Sequence, residues 1–516
     1  MNKTFKTQRE VNGLYEMTDA AVESIRNSRY YNDDLAATKV KQRTWTTYNI
    51  TALWISMCLC IPTYMMAAGI MSAGLTWWQA LINIALGNLI VLIPMQLNSH
   101  AGTKYGIPYP VFARLSFGVW GSNIAAMARA IVGAGWFGIQ CWLGGEAVNG
   151  IIGALAPSWH QWSGGVWVSF FAFWALNVGI VYRGPETIKF MQAWTVPILI
   201  LISLALVGWA YTSVAAMGKG VSDIFNMPMT NKPTSFWVTF LKSLTANIAF
   251  WATLALNIPD FSRFAKSQKD QFRGQLFGLP LTMVAFSFVG VFVTGATRVL
   301  YGEFIWDPVQ VIQKMTNPVA LIIGCIGIII ATTNVNVSAN AVATSNDISN
   351  LNPQKISFKK ATLITGAVGV AIMPWKLLSS ASAYIFGWLG TYGIFLGPLA
   401  GVFIADYYIH RKKLVDVQAL FVEKDGRYSY TNGLNKNAIY AWILASIVPV
   451  LGIFIPSLSL IADGGWIIGF ILALIIYPQL MKKDKISILT PEENEQISEF
   501  VTVVDTKNSS SSVDSI

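Results

Sequence analysis

Residues 58–63 read Cys58-Leu59-Cys60-Ile61-Pro62-Thr63, with a proline near the middle of an apolar run that extends over 48–73. Proline removes a backbone donor and its ring clashes with the preceding turn, so the helix is expected to unwind or kink there. A second such place closes the run 235–258, where the chain reads Asn257-Ile258-Pro259-Asp260. One proline kink is commonplace in membrane helices and says little. Two breaks in runs that stand five apart point to a five-plus-five inverted-repeat transporter, which holds its ligands where the backbone opens.

The rest of the chain supplies the frame for those two breaks. Of 516 residues, 54% are hydrophobic and 12% charged, whereas soluble domains carry about 25% charged residues. Apolar runs of the length that crosses about 30 Å of hydrocarbon recur at 48–73, 76–97, 122–153, 166–182, 187–211, 235–258, 277–299, 318–346, 361–377, 382–405, 438–456 and 461–480. The expected fold is an all-α polytopic membrane protein of about twelve transmembrane helices. Residues 1–47 form a cytoplasmic N-terminal segment, 48–211 and 235–405 the two repeats, and 438–480 helices 11 and 12. The tail 486–516, acidic and then Ser-rich, is expected to be disordered.

Charge placement gives an orientation. Lys39, Lys41 and Arg43 precede the first run; Arg263, Lys266, Lys269 and Arg273 follow the sixth; Arg411, Lys412 and Lys413 follow the tenth. Lys and Arg concentrate in alternate connections, so both termini are expected in the cytoplasm. The net charge of +10 then reports topology and not a nucleic-acid partner. Cys58, Cys60, Cys141 and Cys325 all fall within spans, without disulfide or zinc spacing. No cleaved signal peptide and no phosphate-binding loop are expected. No acid–base or metal constellation converges, so an enzyme is not expected.

Polar groups inside the spans carry the function. Trp136 and Gln140, in "GWFGIQCWLGGE" (135–146), lie four apart and share a helix face. A flat indole beside an amide suits a planar, neutral, hydrogen-bonding solute, although interfacial anchoring or helix–helix bonding would use the same residues. Phe250-Trp251 in the sixth run offers a second plate. The eighth run contains "ATTNVNVSANAVATSND" (331–347), where Asn336 and Asn340 share a face. A segment so polar is expected to line a cavity and not to meet lipid. Glu146 and Asp260 are ionisable groups near spans, each open to a proton-relay or a structural role.

These residues, with "NDDLAATKVKQRTW", "HAGTKYGIPYPVFAR", "WATLALNIPDFSRF" and "GPLAGVFIADYYIHRKKL", give a chain that resembles the nucleobase–cation symporter-1 family from about residue 32 to 480. It is most like bacterial allantoin permeases. The resemblance implies a leucine-transporter-like fold of ten helices in inverted repeats plus two more. It implies a substrate between Trp136 and Trp251, hydrogen-bonded by Gln140 and Asn340, with Cys60 where relatives carry Gln or Asn. A sodium site would fall on the carbonyls of Ser56, Leu59 and Ala331 and on two adjacent side chains. Those two are Asn334 and Val335, and valine cannot ligate a hard cation. Sodium and proton both stand as coupling ions, and no other cofactor is expected. The function implied is import of allantoin, a hydantoin or a nucleobase such as uracil or cytosine, by cation symport with alternating access. Alternatives are proton-coupled or uncoupled carriage of another purine- or pyrimidine-related or thiamine-like solute, and, from other classes, a channel or a membrane-embedded enzyme. The protein is expected in the cytoplasmic membrane, acting as a monomer.

Overall fold

The computed structural model describes residues 6–183, 185–226 and 235–501. Among them, eight helices are long and apolar enough to cross a membrane, and two bent pairs raise the number to ten. Two expected runs fall short of that test. One is divided into Phe236–Phe250 and Ala252–Asn257, and the other is the 14-residue helix Phe358–Ala371.

The first break stands where the proline places it. Thr47–Cys58 ends, Leu59 and Cys60 leave helical geometry, and Ile61–Ser72 resumes at an angle of 56°. Pro62 sits in the first turn of the second half, where its missing N–H costs nothing. The second break does not stand at Pro259. It falls at Trp251, whose backbone (φ −103°, ψ 8°) separates Phe236–Phe250 from Ala252–Asn257. Pro259 instead opens a further helical turn, Pro259–Ser262. The carbonyl of Ala255, which a proline four residues on leaves without its helical partner, accepts from Asn98 Nδ2 at 2.8 Å. At Trp251 the freed Ala249 carbonyl accepts from the Tyr392 hydroxyl at 2.8 Å. The neighbours thus decide which interruption opens the helix.

Packing sorts the helices into two groups. Thr47–Cys58, Ile61–Ser72 and Trp77–Tyr105 pack with Phe236–Phe250 and Gln268–Tyr301. Ser122–Leu155 and Gly165–Tyr182 pack with Pro318–Val335 and Phe358–Ala371. Each group takes consecutive spans from each half, as a five-plus-five repeat requires. Small residues let the second group close up. A Cβ on Gly138 would overlap the Gly369 carbonyl oxygen, and one on Gly144 or Gly145 would overlap Phe173 or Phe170. Gly138→Val should therefore cost roughly 1–3 kcal/mol through overpacking. Thermal unfolding of the purified protein checks this, and an unchanged midpoint contradicts it. Helix Ser122–Leu155 is also joined to Val342–Ser349 by an ion pair with both side chains fully buried, Arg129 Nη1 to Asp347 Oδ2 at 3.3 Å.

The terminal segments form one small sheet in the order β2-β1-β3. β1 (Gln8–Val11) pairs antiparallel with β2 (Leu14–Met17) and parallel with β3 (Ser498–Val501). The expectation of disorder from 486 is thus corrected up to residue 501; residues 502–516 lie outside the described residues. Few apolar residues suggested disorder, but polar contacts do the ordering. Buried Gln8 Nε2 donates to Asn494 Oδ1 and Ser498 Oγ, both at 3.0 Å, and Arg9 pairs with Glu499 at 3.0 Å. The N-terminal segment is tied to the helices by buried Arg43, which donates to the Thr103 carbonyl at 2.8 Å.

Candidate functional site

Both helix interruptions face one cavity at the junction of the two groups. Cys60 and Pro62 line it from the first break, Phe250 and Trp251 from the second, Trp136 and Gln140 from Ser122–Leu155, and Asn340 from the eighth span. Helix Ser122–Leu155 turns its glycines 135, 138, 144 and 145 toward neighbouring helices. That close packing aims the Trp136/Gln140 face inward.

The two indoles, expected as opposed plates, are both buried, 5% exposed at Trp136 and 3% at Trp251. They do not stack on each other. Phe250 touches both edge-on, its ring centroid 5.2 Å from that of Trp136 at 65° and 5.0 Å from that of Trp251 at 71°. Trp251 is braced from behind by Trp54 at 5.2 Å, and Trp136 by Tyr384 at 6.1 Å, both edge-on. These aromatic pairs each add about 0.5–1.5 kcal/mol beyond area burial, which fixes the indoles with one ring against both. The remaining cavity is about 20 Å³, room for a single water.

The polar lining is unsatisfied. Trp136 Nε1, Trp251 Nε1 and Gln140 Oε1 are buried without a hydrogen-bond partner. Buried polar atoms nearly always find one, so three orphans at one cavity call for an explanation. They comprise two donors and an acceptor, with the Asn340 amide beside them.

Asn336 does not line this cavity and lies behind its wall. Its Nδ2 faces the Phe137 carbonyl, Cys141 Sγ and Asn177 Oδ1, each at 3.3 Å, and its Oδ1 accepts from Asn340 Nδ2 at 3.3 Å. Asn336 therefore positions Asn340. The two do share a face, within a π-helical stretch from Asn336 to Ala341, a rare geometry concentrated at functional sites. Cys60 Sγ lies 3.1 Å from Thr63 Oγ1. Met57, Thr253 and Leu254 also line the cavity and were not singled out from the sequence. Their only signal is their nearness to the two breaks.

Of the expected cation residues, Ser56 and Asn334 meet. Asn334 Nδ2 donates to Ser56 Oγ at 2.7 Å and faces the Ser56 carbonyl at 3.4 Å. Leu59 ends the same half-helix, and Ala331 lies one turn before Val335; both are buried. Asp260 has a structural role: its Oδ1 accepts from the Tyr109 backbone N–H at 2.8 Å, at the start of helix Tyr109–Phe117. Glu146 lies outside the cavity lining.

Residues 37–469 match the family described as permease for cytosine/purines, uracil, thiamine, allantoin. The chain is 37% identical over 468 residues to the allantoin permease of Bacillus subtilis, covering 88% of this chain and 94% of that one. It is also 37% identical over 473 residues to a purine-uracil permease of Arabidopsis thaliana, covering 88% and 78%. Among solved structures, a nucleobase-cation-symport-1 family transporter in a closed conformation with bromovinylhydantoin bound superposes with a TM-score of 0.76. That likeness is at 23% identity and covers 91% of this chain and 99% of the other, and it shows the fold.

Proposed function

Because the chain belongs to the family of permeases for cytosine/purines, uracil, thiamine and allantoin, we propose that it imports a planar nitrogen heterocycle by alternating access. The family is one of permeases, not enzymes, and the open question is the solute. The observation that carries the reading is the trio of orphaned atoms, Trp136 Nε1, Trp251 Nε1 and Gln140 Oε1, at one buried cavity. A ring bearing adjacent carbonyl and N–H groups would meet Gln140 Oε1 and one indole N–H at its edge while lying flat against the other indole. Allantoin or a hydantoin fits this pattern best, with uracil or cytosine next. The allantoin and purine-uracil permeases that the chain resembles at 37% identity support that ranking.

Admission of such a ring would require Phe250 to swing away from the indoles. Phe250 belongs to the last turn before the second break, so a small change at Trp251 would move it. Solute binding would then favour closure of the two helix groups around the ring. Stacking of about 1–3 kcal/mol per ring face plus a few hydrogen bonds would give micromolar affinity. We place the protein in the cytoplasmic membrane with both termini in the cytoplasm. The Lys/Arg distribution supports this, and so does the pairing of β1 with β3, which brings both terminal segments to one face. A monomeric transporter is sufficient for this scheme.

Uptake of labelled allantoin into cells carrying the protein, challenged with unlabelled hydantoins, uracil, cytosine and purines, tests the reading. Saturable uptake with hydantoins as the strongest competitors is expected. Uptake inhibited by none of them, or passive flux without accumulation, would overturn it.

A further inference from the structure

We propose that the side-chain amide of Asn334 does permanently what a sodium ion does in a coupled transporter, so that transport by this chain is independent of sodium. The proposal rests on the transporter reading but not on the identity of the solute.

The half-helix Thr47–Cys58 ends in the interior, and its last carbonyls concentrate negative charge that must be met by a cation or a donor. Unwound carbonyls at such a place are what a transporter uses to hold sodium. Here the donor is already present. Asn334 Nδ2 lies 2.7 Å from Ser56 Oγ and 3.4 Å from the Ser56 carbonyl oxygen, so the oxygens an ion would need are turned to an N–H group. Asn334 is 2% exposed, and the pair is shut away from water.

The remaining side chains on this stretch do not make up an oxygen cage. Val335, also buried, offers two methyl groups. The Thr332 hydroxyl donates to the Ile328 carbonyl at 2.7 Å, and the Ser338 hydroxyl to the Asn334 carbonyl at 2.7 Å. Asn334 Oδ1, buried without a partner, is one side-chain oxygen where a hard cation asks for several, and turning the amide over would let it accept from Ser56 Oγ but would set it against the Ser56 carbonyl. The residues therefore do not fit sodium. The amide N–H nonetheless performs the structural part of the ion's task, clamping the first half-helix to Pro318–Val335. A clamp that never leaves cannot respond to a sodium gradient. A ligand with no differential affinity for two states shifts neither.

The experiment uses the full-length protein purified in detergent, with thermal unfolding followed in sodium chloride and in choline chloride of equal ionic strength. The midpoint is expected to be the same in both salts. Addition of both hydroxyls, Asn334→Thr with Val335→Ser, is expected to make the midpoint rise with sodium. Uptake by the unaltered protein should change by less than about twofold when choline replaces sodium, since coupling free energy to that ion is absent. A sodium-specific rise in the unaltered protein's midpoint would overturn the proposal, and so would a double variant as indifferent to sodium as its parent. The unfolding measurement needs no solute. A protein that binds none of the tested heterocycles yet ignores sodium would sink the solute assignment and leave this one standing.

Discussion

Replacement of Trp136 by alanine will lower uptake of the transported heterocycle by about 5- to 150-fold, the loss of one stacking face at about 1–3 kcal/mol. The protein should still reach the membrane, because the indole packs at the cavity and not in the Gly138–Gly369 contact that joins its helix to Phe358–Ala371. Trp136→Phe keeps a smaller stacking face and should fall between the two. Initial uptake rates normalised to membrane protein measure both. Equal rates for all three proteins would remove Trp136 from the site.

The second large effect is on stability. Asp347→Ala is expected to destabilise the fold by ~3–5 kcal/mol, the cost of leaving one member of a buried ion pair uncompensated. Arg129 would keep its bonds to Thr344 Oγ1 at 2.9 Å and the Ala339 carbonyl at 3.2 Å, but its charge would lose the carboxylate that faces it. Replacing both partners by apolar side chains of similar size, Arg129→Met with Asp347→Leu, should recover most of the loss, since the desolvation of both charges is then avoided. Thermal unfolding of Asp347→Ala, of the double variant and of its two single parents decides between this account and an additive one. A double variant as unstable as the sum of its parts would contradict the pairing.

The fold was legible in the sequence where a local rule met no competitor. Pro62 broke its helix as expected because the span has two residues, Leu59 and Cys60, that can leave helical geometry. Pro259 carries the same signal and only divides Ala252–Asn257 from Pro259–Ser262 while Ile258 stays in helical geometry, because Asn98 reaches the one carbonyl that the proline leaves free. A donor 157 positions away in the chain is invisible to local reading. The tail up to residue 501 is ordered for a different reason. Thr490, Pro491 and Glu493 form a capping box with proline at the first position, a signal present in the sequence and outweighed by the acidic composition around it. The parallel partner of β3 lies at the opposite end of the chain and leaves no local mark.

The site was legible as a set of residues and not as an arrangement. Trp136, Gln140, Trp251, Cys60 and Asn340 do meet at one cavity. Helix periodicity could place Asn336 and Asn340 on one face, but which of the two reaches the cavity depends on the π-helical stretch and on the Asn177 contact behind it. Phe250 read as part of a plate; only the rotation of the chain at Trp251 shows that it touches both indoles edge-on. The Asn334–Ser56 contact likewise depends on the amide's orientation, which the residue type alone leaves open.

The measurement that tests the central claim most directly is a structure of the protein with the heterocycle that competes best for uptake. The account predicts the ring between Trp136 and Trp251, within hydrogen-bonding distance of Gln140 and Asn340, with Phe250 rotated out of the position it holds here. A heterocycle bound elsewhere, or one bound while Phe250 still touches both indoles, would contradict it.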